Sequence, residues 1–282
     1  MKIDNDVFRQ NLTSTEFETI RTFIENHCGI KLPPTKKQMV EGRLRKRIRK
    51  FGFSTYSEYL DFVFESDQSQ NEIYNLIDVI TTNKTDFYRE PSHFEYLRDK
   101  VLPFLVSHNE NQTVKVWSAG CSSGEEPYTL SMELNNFFED MNSWRYEIHA
   151  SDISTEMLKR AKLAIYDEEK VSDLPYDIKK KYFLRSKNPD DCKVRLKPFI
   201  RKSVQFSRFN LLDKTYSQPK DFDAIFCRNV LIYFDKPTQE LIISHLIEHL
   251  KKGGFLFLGH SETIYGMNLD VQTVAPTVYR KK

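Results

Sequence analysis

Cysteine, glycine and long apolar runs are all scarce in this chain. Four cysteines (Cys28, Cys121, Cys192, Cys227) are scattered with no C-x-x-C pair, which argues against a disulfide framework or a zinc ribbon. No apolar stretch nears the roughly 18 residues of a membrane span, and Met1 to Gln10 is too polar for a signal peptide, so a cytoplasmic protein without membrane insertion is expected. Nine glycines in 282 residues form no G-x-G-x-x-G cradle for a pyrophosphate. A formal net charge of +2 is small for a nucleic-acid binder, so any basic partner surface must be local.

Aromatics are plentiful, with 21 Phe and 14 Tyr, and the length suits one core domain plus a smaller one. Residues 14 to 81 carry a helical period throughout. Thr13 or Ser14 caps a first helix with Glu16 close behind, and Phe17, Ile20, Ile24 and Cys28 share a face. Pro33-Pro34 breaks the chain, and a helix over 36–51 follows with Val40, Leu44, Ile48 and Phe51 as its apolar stripe. Around that stripe lie Lys36, Lys37, Arg43, Arg45, Lys46, Arg47, Arg49 and Lys50, against Glu41 alone. Such a face suits a nucleic acid, an acidic membrane surface or an acidic protein helix, although no aromatics suited to base stacking are interleaved.

From about residue 114 the pattern alternates. Strands are expected near 114–117, 145–151, 203–207, 222–227 and 254–259, with helices near 124–140, 154–164 and 237–251, the signature of a doubly wound parallel sheet. Val271 to Val274 and Thr277 to Tyr279 read as a short antiparallel edge pair around Pro276. Residues 175 to 202, rich in Lys and Arg with a turn at Asn188-Pro-Asp-Asp191, fall out of step and look like an insertion.

The segment Val114-Lys-Val-Trp117-Ser-Ala-Gly120-Cys-Ser-Ser-Gly124-Glu-Glu-Pro127 is the most informative. It reads as a buried strand, a small-residue turn where Gly120 and Gly124 let backbone approach a ligand, and a helix start. Asp152 ends the second strand, where a carboxylate grips a ribose diol. Glu125 and Glu126 stand where a pyrophosphate would approach, so the turn suits a cationic ribosyl ligand, which points to S-adenosylmethionine. Phe222 to Phe234 adds a buried strand ending in Arg228-Asn229 and then presenting Tyr233. The polar stretch Thr81 to Glu90 reads by composition as a linker with a helix start at Pro91. His245-Leu-Ile-Glu-His249 matches the H-x-x-E-H zinc pattern, but no third ligand is evident and no metal is expected. His93 and His260 are candidate general bases, against the commoner reading of hydrogen-bonded structural histidines.

With these motifs assembled, the chain resembles the CheR family, the chemoreceptor glutamate O-methyltransferases of bacterial chemotaxis. The resemblance runs through Asn83-Lys-Thr-Asp-Phe-Tyr-Arg-Glu90, Trp117 to Tyr128, Ala150-Ser-Asp152, Phe222 to Phe234 and Gly259-His-Ser-Glu262. It implies an α/β class I methyltransferase sheet with a small all-helical N-terminal domain and a small inserted subdomain. The expected division is 1–82 helical, 83–112 a linker and helix contributing to the cofactor site, and 113–282 the S-adenosylmethionine domain. Asn83, Thr85, Arg89, Gly120, Glu126, Asp152, Asn210, Leu211, Arg228 and Asn229 would line the cofactor site, and Arg89 and Tyr233 would flank the transferred methyl. The basic helix would meet the receptor's methylation helices through Arg43, Lys46, Arg47, Arg49 and Lys50, from a monomeric enzyme. Members that tether to a receptor's C-terminal pentapeptide carry a glycine-rich turn in the insertion. Leu184-Arg-Ser-Lys-Asn-Pro-Asp-Asp-Cys192 has no glycine, which argues against tethering. An RNA methyltransferase using the basic helix, and a module that senses S-adenosylmethionine without turnover, are the alternatives.

Overall fold

A computed structural model describes residues 11–66, 70–81 and 83–282, so Met1 to Gln10 lie outside the described residues. The chain divides into two compact units: residues 1–82 with Ser154–Glu156 and Tyr233–Asp235, and the remainder. In the first, Thr13 and Glu16 form a reciprocal capping box on α1 (Ser14–Cys28), and Gly29 at φ 67° ends it. Its buried face is Phe17, Ile20, Ile24 and Cys28. A short turn at Pro34–Lys36 leads into α2 (Lys37–Phe51), which buries Val40, Leu44 and Ile48. Two further helices follow, α3 (Tyr56–Glu65), capped by Thr55, and α4 (Gln70–Ile80).

The cations of α2 are not equivalent. Arg43 Nη1 donates to the carbonyls of Val79, Ile80 and Thr81 at 3.0, 3.0 and 2.8 Å, satisfying groups that the end of α4 leaves unpaired. Arg47 grips the buried Glu72 carboxylate with both Nε, at 2.8 Å, and Nη2. Arg45 pairs with Glu41 one turn back. Lys46, Arg49 and Lys50 are exposed.

The second unit opens with residues 83–91 in loop conformation, then α5 (Ser92–Tyr96), which passes through one π turn into α6 (Leu102–His108). Composition reads the start of this stretch as a linker, yet Phe87, Phe94, Leu97, Val101, Leu102 and Leu105 belong to the main core. The rest alternates: β1 (Thr113–Ala119), α7 (Glu125–Phe137), β2 (Arg145–Asp152), α8 (Thr155–Leu163), β3 (Ile165–Asp167), α9 (Tyr176–Tyr182), β4 (Phe183–Arg185), β5 (Lys193–Leu196), α10 (Pro198–Lys202), β6 (Val204–Arg208), β7 (Phe222–Cys227), α11 (Lys236–His249), β8 (Leu250–Leu258), β9 (Val271–Ala275) and β10 (Val278–Lys281). The main sheet runs β6-β2-β1-β7-β8-β10-β9. It is parallel except that β10 is antiparallel to both β8 and β9. Strand β7 is buried at every position and β1 from Val116 onward, as parallel strands covered on both faces must be. Because β1 lies between β2 and β7, the chain reverses its winding there, and a crevice opens at the strands' carboxyl ends.

The insertion is a small antiparallel sheet, β3-β5-β4. It therefore begins near Ile165 rather than at residue 175. The sequence hides this because β3 and β4 have only three residues each, too few to show a period of two. In the turn before β5, Cys192 takes φ 44°, the left-handed conformation that a glycine would adopt without strain.

Candidate functional site

The turn after β1 wraps the end of β2. The N–H groups of Gly120 and Cys121 both donate to Ser151 O, at 2.7 and 2.9 Å, and the Ser122 N–H donates to Asp152 at 2.7 Å. Gly120 and Gly124 have φ of 87° and 97°, and an added Cβ would lie 2.5 Å from Val230 Cγ2 and 2.9 Å from Ala161 Cβ respectively. Both positions thus need glycine for conformation and for space. The adjacent glutamates part company. Glu125 is buried against Ser123 Oγ at 2.7 Å, and burial pushes its carboxyl above the ordinary range despite that bond. Glu126 instead accepts from Ser118 Oγ at 2.7 Å and from Arg228 Nη1 at 3.0 Å.

Arg228, at the end of β7, is the node of the site. Its side chain is 1% exposed and bridges Glu126 and Glu90, with Nη2 2.9 Å from Glu90 Oε2, while the guanidinium lies over the Phe94 ring at 5.3 Å. Nη2 also donates to Arg89 O, and Nε is buried without a partner. Asn229 Nδ2 donates to Glu90 Oε1 at 3.0 Å. Burial alone would raise the Glu90 carboxyl; the bonds from Asn229 and Arg228 outweigh it and bring it down to about 2. Glu262 supports the node from below, accepting from the N–H groups of Asn229, Leu231 and Gly259 at 2.9, 2.7 and 2.6 Å. His93 is 2% exposed; burial first and Arg228 second push it down to about 4, which leaves it neutral.

The other sequence-selected residues fall as follows. Asn83 O accepts from Ser122 Oγ at 3.0 Å, which brings the 83–91 loop onto the glycine turn, and Thr85 O accepts from Lys170 Nζ at 2.9 Å. Arg89 turns back on its own loop, with Nη1 3.0 Å from Lys84 O. Asn210 and Leu211 follow β6, the Asn210 side chain accepting from Leu212 N at 3.1 Å, and Leu211 is buried. Tyr233 groups with the helical unit, where its carbonyl accepts from Lys31 N at 2.9 Å. His249 of the H-x-x-E-H segment is buried, bonding to His245 O and packing on Tyr216 and Trp117. Glu90 and Glu262 join the site only through the structure. Their only sequence signal is an acid adjoining Arg89 and an acid closing the Gly259 segment; both meet their partners far along the chain.

These groups fit a cationic ribosyl cofactor. Glu90, Glu126 and Asp152 face the turn and node with Arg228 as the compensating cation, and the orphaned Arg228 Nε leaves a donor to satisfy. Fold and site together define a class I S-adenosylmethionine-dependent methyltransferase. Residues 83–280 match the S-adenosylmethionine-binding domain of CheR methyltransferases, and residues 15–81 match their all-alpha domain. The chain belongs to the CheR methyltransferase family. It is 38% identical to a chemotaxis protein methyltransferase of Borreliella burgdorferi, covering 96% of this chain and 95% of that one. Those of Salmonella typhimurium and Escherichia coli are 38% and 37% identical, over 96% of this chain and 91% and 92% of theirs. Among the described residues no helix is long and apolar enough to cross a membrane.

Proposed function

We propose that this chain methylates glutamate side-chain carboxylates of chemoreceptors in the cytoplasm, as a monomer, giving glutamate methyl esters in chemotactic adaptation. The observation that carries the reading is the buried Arg228 bridging Glu90 and Glu126 beside the glycine turn, in a chain of this family. When bound, S-adenosylmethionine supplies a sulfonium-activated methyl carbon open to in-line displacement by a carboxylate oxygen. Asp152, which accepts from Ser122 N, holds the ribose hydroxyls. Glu126, Arg228 and Asn229 take the charged end of the cofactor, while Asn83, Thr85, Gly120, Asn210 and Leu211 shape the remaining walls. Arg89 orients the nucleophile beside the methyl, gaining rate by positioning. The nucleophile needs no base, since a glutamate carboxyl with an ordinary pKa near ~4.3 is ionised at neutral pH. Neutral His93 and exposed His260 are therefore not required as proton acceptors.

For receptor contact, Lys46, Arg49 and Lys50 offer exposed charge to acidic methylation helices. Arg43 and Arg47 carry structural bonds inside the unit instead. The test is transfer of labelled methyl to a receptor fragment, followed by base. Release of volatile labelled methanol is the expected outcome, and a base-stable label, or transfer to RNA in preference, would remove the glutamate reading.

A further inference from the structure

Behind the Arg228 node, three side chains converge that methyl transfer does not use together: Glu90, His93 and His260. Each offers one ligand atom, and these atoms all lie within 4.8 Å of one another. Glu90 Oε2 is 3.6 Å from His93 Nδ1 and 4.0 Å from His260 Nε2. Among the described residues this is the one such grouping of His, Cys, Asp and Glu. Glu90 and His93 are joined by a turn in which His93 N donates to Glu90 O at 3.1 Å, bringing the carboxylate and the imidazole together.

We propose that this cluster binds a divalent transition ion of the zinc class. The decisive atom is His93 Nδ1, which is buried and has no hydrogen-bond partner. A buried ring nitrogen left without a partner is costly unless something fills it. The other ring nitrogen, Nε2, lies 2.9 Å from Thr277 Oγ1, an outer-shell bond of the kind that orients a metal-ligating imidazole. Two imidazoles and a carboxylate are a zinc donor set, and bonds of about 2.0–2.2 Å put ligand atoms roughly 3.3 Å apart in a tetrahedron. Closing the observed separations falls to His260, which is 53% exposed and would exchange the 3.4 Å contact of its Nε2 with Ser92 Oγ for the ion, while water takes the fourth place.

The ion would share Glu90 Oε2 with Arg228, whose guanidinium is 2.9 Å away. Two cations competing for one carboxylate oxygen repel, so zinc weakens the hold of Glu90 on Arg228. If Arg228 lines the cofactor site, as proposed above, zinc and cofactor antagonise each other. Linkage then requires the two effects to be equal in size.

Zinc chloride titrated into the full chain, followed by calorimetry and by competition with a chromophoric chelator, tests this without reference to activity. One saturable equivalent is expected, with affinity falling at least about tenfold in His260→Ala, since even outer-shell losses cost 10- to 100-fold. His93→Gln should match it. No saturable binding, or binding unchanged in His260→Ala, overturns the site. Repeating the titration with saturating S-adenosylhomocysteine should weaken zinc; equal affinity with and without it overturns the antagonism. Failure of the cofactor reading would show separately, as absent S-adenosylhomocysteine binding in the metal-free protein.

Discussion

Arg47 and Lys46 are neighbours on one basic helix, yet truncating them should have opposite consequences. Arg47 makes a two-point bond to Glu72, whose side chain is 5% exposed, and Tyr59 Oη and Asn75 Nδ2 complete that carboxylate at 2.8 and 3.0 Å. Removing one partner of a buried ion pair costs about 3–5 kcal/mol, because the remaining charge stays desolvated. Tyr59 and Asn75 still serve Glu72 after Arg47→Ala, and Arg47 itself is 15% exposed, so the low end, about 3 kcal/mol, applies. In a chain of this size that corresponds to a melting temperature lower by about 6–12 °C. Lys46 is exposed, and Lys46→Ala should stay within about 0.5 kcal/mol of the parent. Thermal unfolding followed by circular dichroism compares the two directly. If Arg47→Ala melts with Lys46→Ala, the buried pair does not carry the unit and Arg47 returns to the docking surface. Lys46→Glu combined with Lys50→Glu should instead slow receptor methylation at low salt while leaving S-adenosylhomocysteine affinity unchanged.

Asp152→Asn keeps the shape but removes a charged acceptor worth roughly 1.5–3 kcal/mol, so calorimetry should show S-adenosylhomocysteine binding about tenfold to a hundredfold weaker. Unchanged affinity in the folded variant would take Asp152 out of the site. Glu90→Gln leaves Arg228 with Glu126 alone and should weaken the same ligand by at least about tenfold on the same scale. Gly259→Ala places a methyl 2.6 Å from Asn229 Nδ2 and 2.8 Å from its backbone N. Overpacking of that kind costs about 1–3 kcal/mol, seen as a lower melting temperature together with weaker ligand binding.

How far the sequence could be read depended on how local each determinant was. The box at Thr13 and Glu16, the apolar faces of α1 and α2, and the largely apolar strands β1 and β7 are local and readable. The boundary before β8 is less so: the pattern predicts helix to residue 251 and strand from 254. In fact strand begins at Leu250, and Gly253 at φ 77° turns within it. Cations alternating around α2 look alike in one dimension. What distinguishes Arg47 from Lys46 is Glu72, 25 residues away. Glu90 likewise meets Arg228 across 138 positions, a pairing that no spacing rule contains.

The Arg228 node also bears on how the site binds. A buried ion pair is weak support for stability, since desolvation offsets most of its attraction. This one further includes an unsatisfied Arg228 Nε and is flanked by Tyr88, Glu90 and Asn229, non-glycine residues at φ 53°, 56° and 58°. Left-handed backbone of that kind costs of order 1–3 kcal/mol per residue and gathers where geometry serves a ligand. The fold, through Glu262 and the glycine turn, holds these groups in place before any ligand arrives. Binding then has little ordering left to do, and its free energy goes into affinity and orientation of the methyl instead. A variant that relaxes the node, such as Glu90→Gln, should accordingly lose ligand affinity out of proportion to its effect on folding.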